Sequence, residues 1–142
     1  MGISAPKEFA CAIIVDTHGR FLLQRRDNKP EIRHPGMIGL FGGHREMGET
    51  SLECLVREVQ EEIGRHVPPE NFEHIATYCQ MEASGPYKVE IYAVVDVNVA
   101  DLTIMEGTLL VARPEDLFDV MVEMEPSAVF ALQTFLRRQE EI

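Results

Sequence analysis

The chain has 142 residues, enough for one domain whose core needs no disulfides. With 45% hydrophobic and 26% charged residues, its composition is that of a globular rather than a disordered protein. Its 24 acidic against 13 basic residues give a net charge of −11, which repels polyanions and argues against long nucleic acid as a partner, while leaving room for a small phosphorylated ligand held through metal ions.

The first segment, MGISAPKEF, has no basic region followed by an apolar run, so no secretory signal is expected. No stretch is long enough to span a bilayer, and the cytoplasm is the expected location. Phe9 to Val15 and Arg20 to Arg25 are apolar, β-prone runs on either side of Asp16-Thr17-His18-Gly19, which predicts a hairpin. Asp27 to Gly36 carries Pro30 and Pro35 among scattered charges and reads as a loop. Met37 to Phe41 is a short apolar strand running into a Gly42-Gly43 loop. Thr50, with Glu53 three residues on, is a capping-box signature for a helix start. Leu52, Leu55, Val56, Val59 and Ile63 then recur at three- and four-residue spacing as an apolar stripe, and Gly64 supplies the C-terminal stop.

Beyond this helix, Phe72 to Met81 and Tyr87 to Val97 read as two strands joined by Ala83-Ser84-Gly85-Pro86. Thr108 to Ala112 is a further short strand after an acidic Glu106-Gly107 corner. Pro114 to Val122 predicts a short helix. Pro126 fits the first turn of a last helix to about Arg138, with Val129, Leu132 and Leu136 on its apolar side. Strands and helices are mixed, without repeat or linker, which indicates a single α/β domain. Cys11, Cys54 and Cys79 are odd in number and form no CxxC pair, so buried, reduced thiols are expected rather than a disulfide or zinc framework.

Within the first helix, Glu58, Glu61 and Glu62 crowd into little more than one turn. At about 100° per residue they fall together on a flank of the apolar stripe. Like charges three and four residues apart repel, and a face that needed only solvation would gain from alternating signs. The crowding asks for a cation. Hard oxygen donors on one rigid element suit Mg²⁺, which is usually shared between carboxylates and substrate phosphates.

The run from Gly43 to Arg65, GHREMGETSLECLVREVQEEIGR, resembles the Nudix signature: Gly43, five residues, Glu49, seven residues, Arg57-Glu58, an apolar Val59, any residue, Glu61-Glu62, any residue, Gly64. Only the last place departs, where the family prefers an aliphatic residue and this chain has Arg65. From average composition a chance match is on the order of one in a hundred thousand. The resemblance implies a MutT-like domain over residues 1–142, with the box at 43–65 and a Nudix-type α-β-α sandwich holding a mixed β-sheet between helices. It implies a catalytic set of Glu58, Glu61, Glu62 and Arg57. The metal, Mg²⁺ or Mn²⁺ in its place, would be held by the three glutamates and the Gly43 carbonyl, one glutamate also activating water. Arg57 would orient the carboxylates with Glu49 as its ion-pair partner. Glu106 resembles an acidic loop position that supplies a further metal ligand or base in MutT-like members. Arg26, at the end of the hairpin's second strand, and Gly42 are the substrate-binding candidates.

Each residue also has a plainer reading. Arg57 could be a surface partner of Glu61, Glu106 an ordinary turn carboxylate, Gly42 and Gly43 turn glycines, and Arg26 a solvated strand end. Their joint spacing disfavours those readings for the box, while Glu106 stays open. Oxidised-guanine sanitisers of the MutT type place an Asn before a Glu-Pro pair late in the chain. Here Met124 precedes Glu125-Pro126, so that base-reading amide does not carry over. Phe41 also replaces the Pro that usually precedes the paired glycines. Tyr87, Glu90 and Tyr92 are further candidates to line a pocket. The resemblance implies hydrolysis of a diphosphate linkage in a small nucleotide substrate, by a monomer or homodimer. The alternative is a catalytically silent nucleotide-sensing domain, and hydrolysis at an RNA 5′ end sits badly with the charge.

Overall fold

Alternation along two long strands decides the architecture, because successive side chains of a strand point to opposite faces. In the computed structural model, which describes residues 5–141, strand β1 (Lys7–Asp16) turns Ala10, Ala12 and Ile14 into one apolar cluster and Ile13 into another. Strands β2 (Phe21–Arg25), β3 (Ile38–Gly39) and β4 (Phe41–His44) follow, and then helix α1 (Ser51–Ile63). Strand β5 (Glu73–Glu82) and strand β6 (Gly85–Val97) form the second long hairpin. Strand β7 (Thr108–Ala112), the short helix α2 (Leu117–Val120) and helix α3 (Pro126–Glu140) complete the chain.

The sheet runs β3-β2-β1-β6-β5, with β7 on β2 and β4 on β1. β1 and β6 are parallel and every other pair is antiparallel, so the sheet is mixed as expected. Helix α1 contributes Leu55, Val59 and Ile63 to the cluster on one face, all fully buried. Helix α3 contributes Ala128, Ala131, Leu132 and Phe135 to the cluster on the other. Each such large aliphatic or aromatic side chain contributes about 1.5–3 kcal/mol by leaving water.

One edge of β1 is shared. Its N-terminal half pairs with β4 and its C-terminal end with β2, so the segment from Ile38 to His44 crosses from β2 to β1 and the two neighbours diverge. That divergence opens the sheet beside α1. Gly42 and Gly43 lie inside β4, paired with Cys11 and Ala10, and not in the loop that their composition suggested. The capping box at α1 forms as expected: Glu53 N–H donates to Thr50 Oγ1 at 3.1 Å, and Thr50 N–H to Glu53 Oε1 at 2.8 Å. Gly64 closes the helix at φ 65°, a left-handed conformation that glycine adopts without strain.

Three local expectations change. The segment from Pro114 to Glu123 is one four-residue α-helix flanked by 3-10 turns, rather than a continuous helix. Cys79 is exposed on β5, whose outward positions have no covering layer among the described residues, while Cys54 is buried and Cys11 half-buried. Of the three pocket candidates on β6, Tyr87 is buried toward α3 and lines a cleft, whereas Glu90 and Tyr92 have the opposite parity and face the other side, Tyr92 within the α1 cluster.

Candidate active site

The site begins where α1 crosses the diverging strands. Glu62 lies on the inner side of the helix and is only 3% exposed. Its Oε1 accepts the Gly42 N–H at 2.7 Å, and its Oε2 accepts Gln24 Nε2 at 3.1 Å. The same Gln24 amide donates to the Glu106 carbonyl at 3.1 Å. Two backbone bonds tie the incoming loop to the end of α1: Thr103 N–H to Ile63 O at 2.9 Å and Met105 N–H to Glu62 O at 2.8 Å. Glu106 is thereby brought to the Glu62 carboxyl. Burial, and then the hydrogen bond shared with Glu106, hold the Glu62 carboxyl well above the ordinary carboxylate range, against the pull of Gly42 and Gln24.

One turn earlier, Glu58 lies against Gly43. A side chain at 43 would come within 2.5 Å of Glu58 Oε2, so the absence of a Cβ makes the space for this carboxylate. Burial raises Glu58 above its usual pKa, and Arg57 opposes that rise. Arg57 is the hub. Its Nη2 and Nε grip the two Glu49 oxygens at 2.7 and 3.1 Å, a bidentate pair, while Nη1 donates to Glu58 Oε1 at 2.8 Å. A further bond reaches the His44 carbonyl at 3.2 Å. Held by Arg57 and by the Glu46 N–H, the Glu49 carboxyl falls to about 2.

Glu58 and Glu62 line a cleft of about 240 Å³ together with Arg26, Gly42, Gly43, Glu106 and Glu125. The structure thus brings Glu58, Glu62 and Glu106 together at one end. It leaves Glu61 outside: that side chain is 58% exposed and turned toward Arg57 Nη1 at 3.5 Å. Arg26 lies farther along the cleft, its Nε donating to the Arg33 carbonyl at 2.6 Å. A larger groove of about 710 Å³ lies over the outer side of α1, lined by Leu52, Val56, His66 and Pro69. It reaches Arg57 and Glu61 but holds none of the converging carboxylates, so the smaller cleft is the candidate site.

The donor set fits a hard divalent cation. Among the described residues no three His, Cys, Asp or Glu side chains close a cage around one point. An open wall is nevertheless what Mg²⁺ uses, because it keeps several waters and takes one or two carboxylates beside substrate phosphates. Gly43 supplies the independent observation, since its missing side chain leaves the cradle in which the Glu58 carboxylate sits.

Three residues in or beside the cleft were not singled out from the sequence. Gln24 is a 3% exposed amide inside an otherwise apolar strand, and that interruption of FLLQR was the available signal. Arg33 sits over the Tyr87 ring, its guanidinium carbon 4.1 Å from the centroid, in a segment read only as loop. Glu125 precedes the proline that opens α3 and carried no local mark of burial.

A family model described as NUDIX domain matches residues 6–130. Several solved structures share the fold. The E. coli ORF135 protein is 22% identical, with a TM-score of 0.71 over 94% of this chain and 90% of its own. A C. elegans Ap4A hydrolase is 19% identical, with a TM-score of 0.72 over 96% and 99%. A bifunctional NMN adenylyltransferase/ADP ribose pyrophosphatase from Francisella tularensis, complexed with AMP and a Mn ion, is 13% identical, with a TM-score of 0.73 over 98% of this chain and 43% of its own.

Proposed function

Because the chain belongs to the Nudix family of hydrolases, we propose that it cleaves a diphosphate linkage in a small nucleoside diphosphate derivative, of the nucleoside triphosphate, nucleotide-sugar or dinucleoside polyphosphate type. Water attacks one phosphorus, the bond to the bridging oxygen breaks, and a nucleoside monophosphate leaves while the other phosphoryl group stays with the second product. The observation that carries this reading is the convergence of Glu58, Glu62 and Glu106 against the Gly42-Gly43 strand. A buried Glu62 beside the half-buried Glu58 and a like-charged Glu106 is costly without a cation.

Glu58, Glu62 and Glu106, with the Gly43 carbonyl, would hold a divalent ion, Mg²⁺ or Mn²⁺. When bound, that ion would neutralise charge developing on the phosphates. The remaining work belongs to the chain itself. Arg57, locked by Glu49, keeps the Glu58 carboxylate in place. The Gly42 N–H and the Gln24 amide fix both oxygens of Glu62. A carboxylate of the set, or Glu61 at its rim, accepts the proton of the attacking water. The AMP and Mn ion named for the Francisella protein and the Ap4A named for the C. elegans protein support a nucleotide substrate and a divalent metal.

The test is a panel of nucleoside triphosphates, nucleotide sugars and dinucleoside polyphosphates, run with Mg²⁺ and with Mn²⁺ in ¹⁸O-labelled water, with products identified. Metal-dependent release of a nucleoside monophosphate, lost in Glu62→Gln while the protein stays folded, is the expected outcome. Tight nucleotide binding without turnover in either metal would instead favour the silent sensor. Unchanged activity in both Glu61→Gln and Glu62→Gln would sink the assignment of the site.

A further inference from the structure

Position 24 is where the core would gain from an apolar side chain. Leu22, two residues earlier on β2, enters the α1 cluster, and alternation along the strand turns residue 24 to the same face. Gln24 stands there instead, only 3% exposed. Its amide nitrogen donates both hydrogens, one to Glu62 Oε2 and one to the Glu106 carbonyl, each at 3.1 Å. A backbone carbonyl can only accept, so the orientation of the amide follows from its partner. The side chain therefore spans two segments far apart in sequence, the inner side of α1 and the loop that follows Thr103.

That loop has anchors of its own at both ends. Thr103 and Met105 donate to carbonyls at the end of α1, and Thr108 pairs with Arg25 where the β2–β7 ladder begins. Glu106 and Gly107 lie between these anchors. Glu106 is exposed, so its carboxyl can meet Glu62 reliably only where its backbone is fixed. Gly107 turns the chain at φ 69° and lets it approach β2: a Cβ there would lie 2.7 Å from the Arg25 carbonyl oxygen and 2.9 Å from Gln24 Cγ. The stem of Gln24 thus packs where Gly107 has no side chain, while its amide takes the carbonyl one residue earlier. Packing and hydrogen bonding fix the same turn.

We propose that Gln24 is a positioning residue: seated against Gly107, it sets the Glu106 turn at its distance from Glu62 and makes Glu106 a member of the carboxylate set rather than an ordinary turn residue. The hydrolase reading enters only through what that set holds, a divalent ion. A buried amide that did no more than satisfy itself could be exchanged for an apolar side chain without consequence for Glu106.

The test compares the parent chain with Gln24→Met, which keeps the unbranched stem and removes both donors, with Glu106→Gln, and with the double variant. In metal-free buffer, backbone amides of residues 103–107 should exchange for deuterium about tenfold faster in Gln24→Met, as expected when one hydrogen bond holding a turn is lost. Mn²⁺ alone, titrated without nucleotide and followed by electron paramagnetic resonance, should bind about 10–100-fold more weakly in Gln24→Met and in Glu106→Gln. Gln24 acts through Glu106, and Glu62 keeps its bond from the Gly42 N–H. The double variant should therefore bind Mn²⁺ within about twofold of Glu106→Gln. Gln24→Asn keeps an amide but is one methylene too short to reach both partners, and should repeat the losses in a chain that circular dichroism shows to be folded. Unchanged exchange in Gln24→Met, no Mn²⁺ binding by the parent, full affinity in either single variant, or losses that multiply in the double variant would overturn the proposal. Faster exchange and weaker, non-additive Mn²⁺ binding, with no nucleotide turned over, keeps the positioning role and removes the hydrolase. Turnover that survives Gln24→Met intact, with parental exchange, does the reverse.

Discussion

Gly42 and Gly43 are adjacent on one strand, yet replacing each by Ala should fail in different ways. Gly42 has φ 148°, and a Cβ there would lie 2.7 Å from Cys11 Cα and closer to the Ala10 carbonyl oxygen. Both obstacles are backbone atoms of β1, which cannot retreat without breaking the pairing of Cys11 with Gly42 and Ala10 with Gly43. A strained φ costs about 1–3 kcal/mol, and overpacking about 1–3 kcal/mol more. Gly42→Ala should therefore lose about 4 kcal/mol. At roughly 2–4 °C per kcal/mol for a domain of this size, the melting temperature should fall by about 10 °C or more. At Gly43 the obstacle is the end of the flexible Glu58 side chain. Gly43→Ala should stay within about 1 kcal/mol of the parent, because the carboxylate can swing away. It should lose at least about tenfold in metal-dependent turnover, as is usual when groups supporting a metal site are moved. Thermal denaturation together with kcat/KM on whichever nucleotide is turned over decides it. Equal stability losses in the two variants, or full activity in Gly43→Ala, would refute this account of the strand.

The other outcomes are simpler. Arg57→Lys keeps the charge but cannot grip both Glu49 oxygens and Glu58 at once, so kcat/KM should fall about 10–100-fold with the melting curve little changed; unchanged kinetics would make Arg57 a surface ion-pair partner. Asp16 caps the first hairpin by accepting the His18 and Arg20 N–H groups at 2.9 and 2.8 Å and the Arg20 guanidinium at 2.7 Å. Burial alone would raise its pKa, but these bonds more than offset it and leave it below the ordinary value of 3.8. The folded pKa is depressed, so the stabilisation is fully present above the unfolded value and is lost as pH falls through the folded one. Asp16→Asn should lower stability by about 2 kcal/mol near pH 7, with a difference from the parent that shrinks below about pH 4; a constant difference in denaturant midpoint down to pH 2 would contradict the assignment. In the folded chain Cys79 should react with a thiol reagent first, and Cys54 only after unfolding, as peptide mapping of labelled protein would show.

The helical half of the site could be read along the chain because its geometry is local. Thr50, Glu53 and Gly64 set where α1 starts and stops, and the apolar stripe from Leu55 to Ile63 sets which face is buried. Once those are fixed, Glu58 and Glu62 must emerge on the same flank, whatever packs beside them. The same reasoning placed Glu61 with them, yet Glu61 is turned outward to Arg57. Periodicity gives the azimuth of a Cβ. It does not decide which of several carboxylates an arginine with five donors will hold.

The other half of the cleft depends on register between segments far apart in sequence. Gln24 meets Glu62 and Glu106 only because β2 passes under the end of α1 and the loop from Thr103 to Met105 is tied to that helix end. Glu125 enters the cleft only because its N–H pairs with Ile38 and Gly39 has no side chain to exclude the carboxylate. None of these pairings has a period or a spacing. Gln24 is marked in the sequence as a polar residue within an apolar strand, whereas Glu125, ahead of a helix-opening proline, carries no such mark. Burying such groups is unfavourable unless something satisfies them. Gln24 finds its partners within the chain. Glu125 has only the charges of Arg26, with Nε 3.7 Å from its Oε1, and of Arg33 to oppose the cost of its burial.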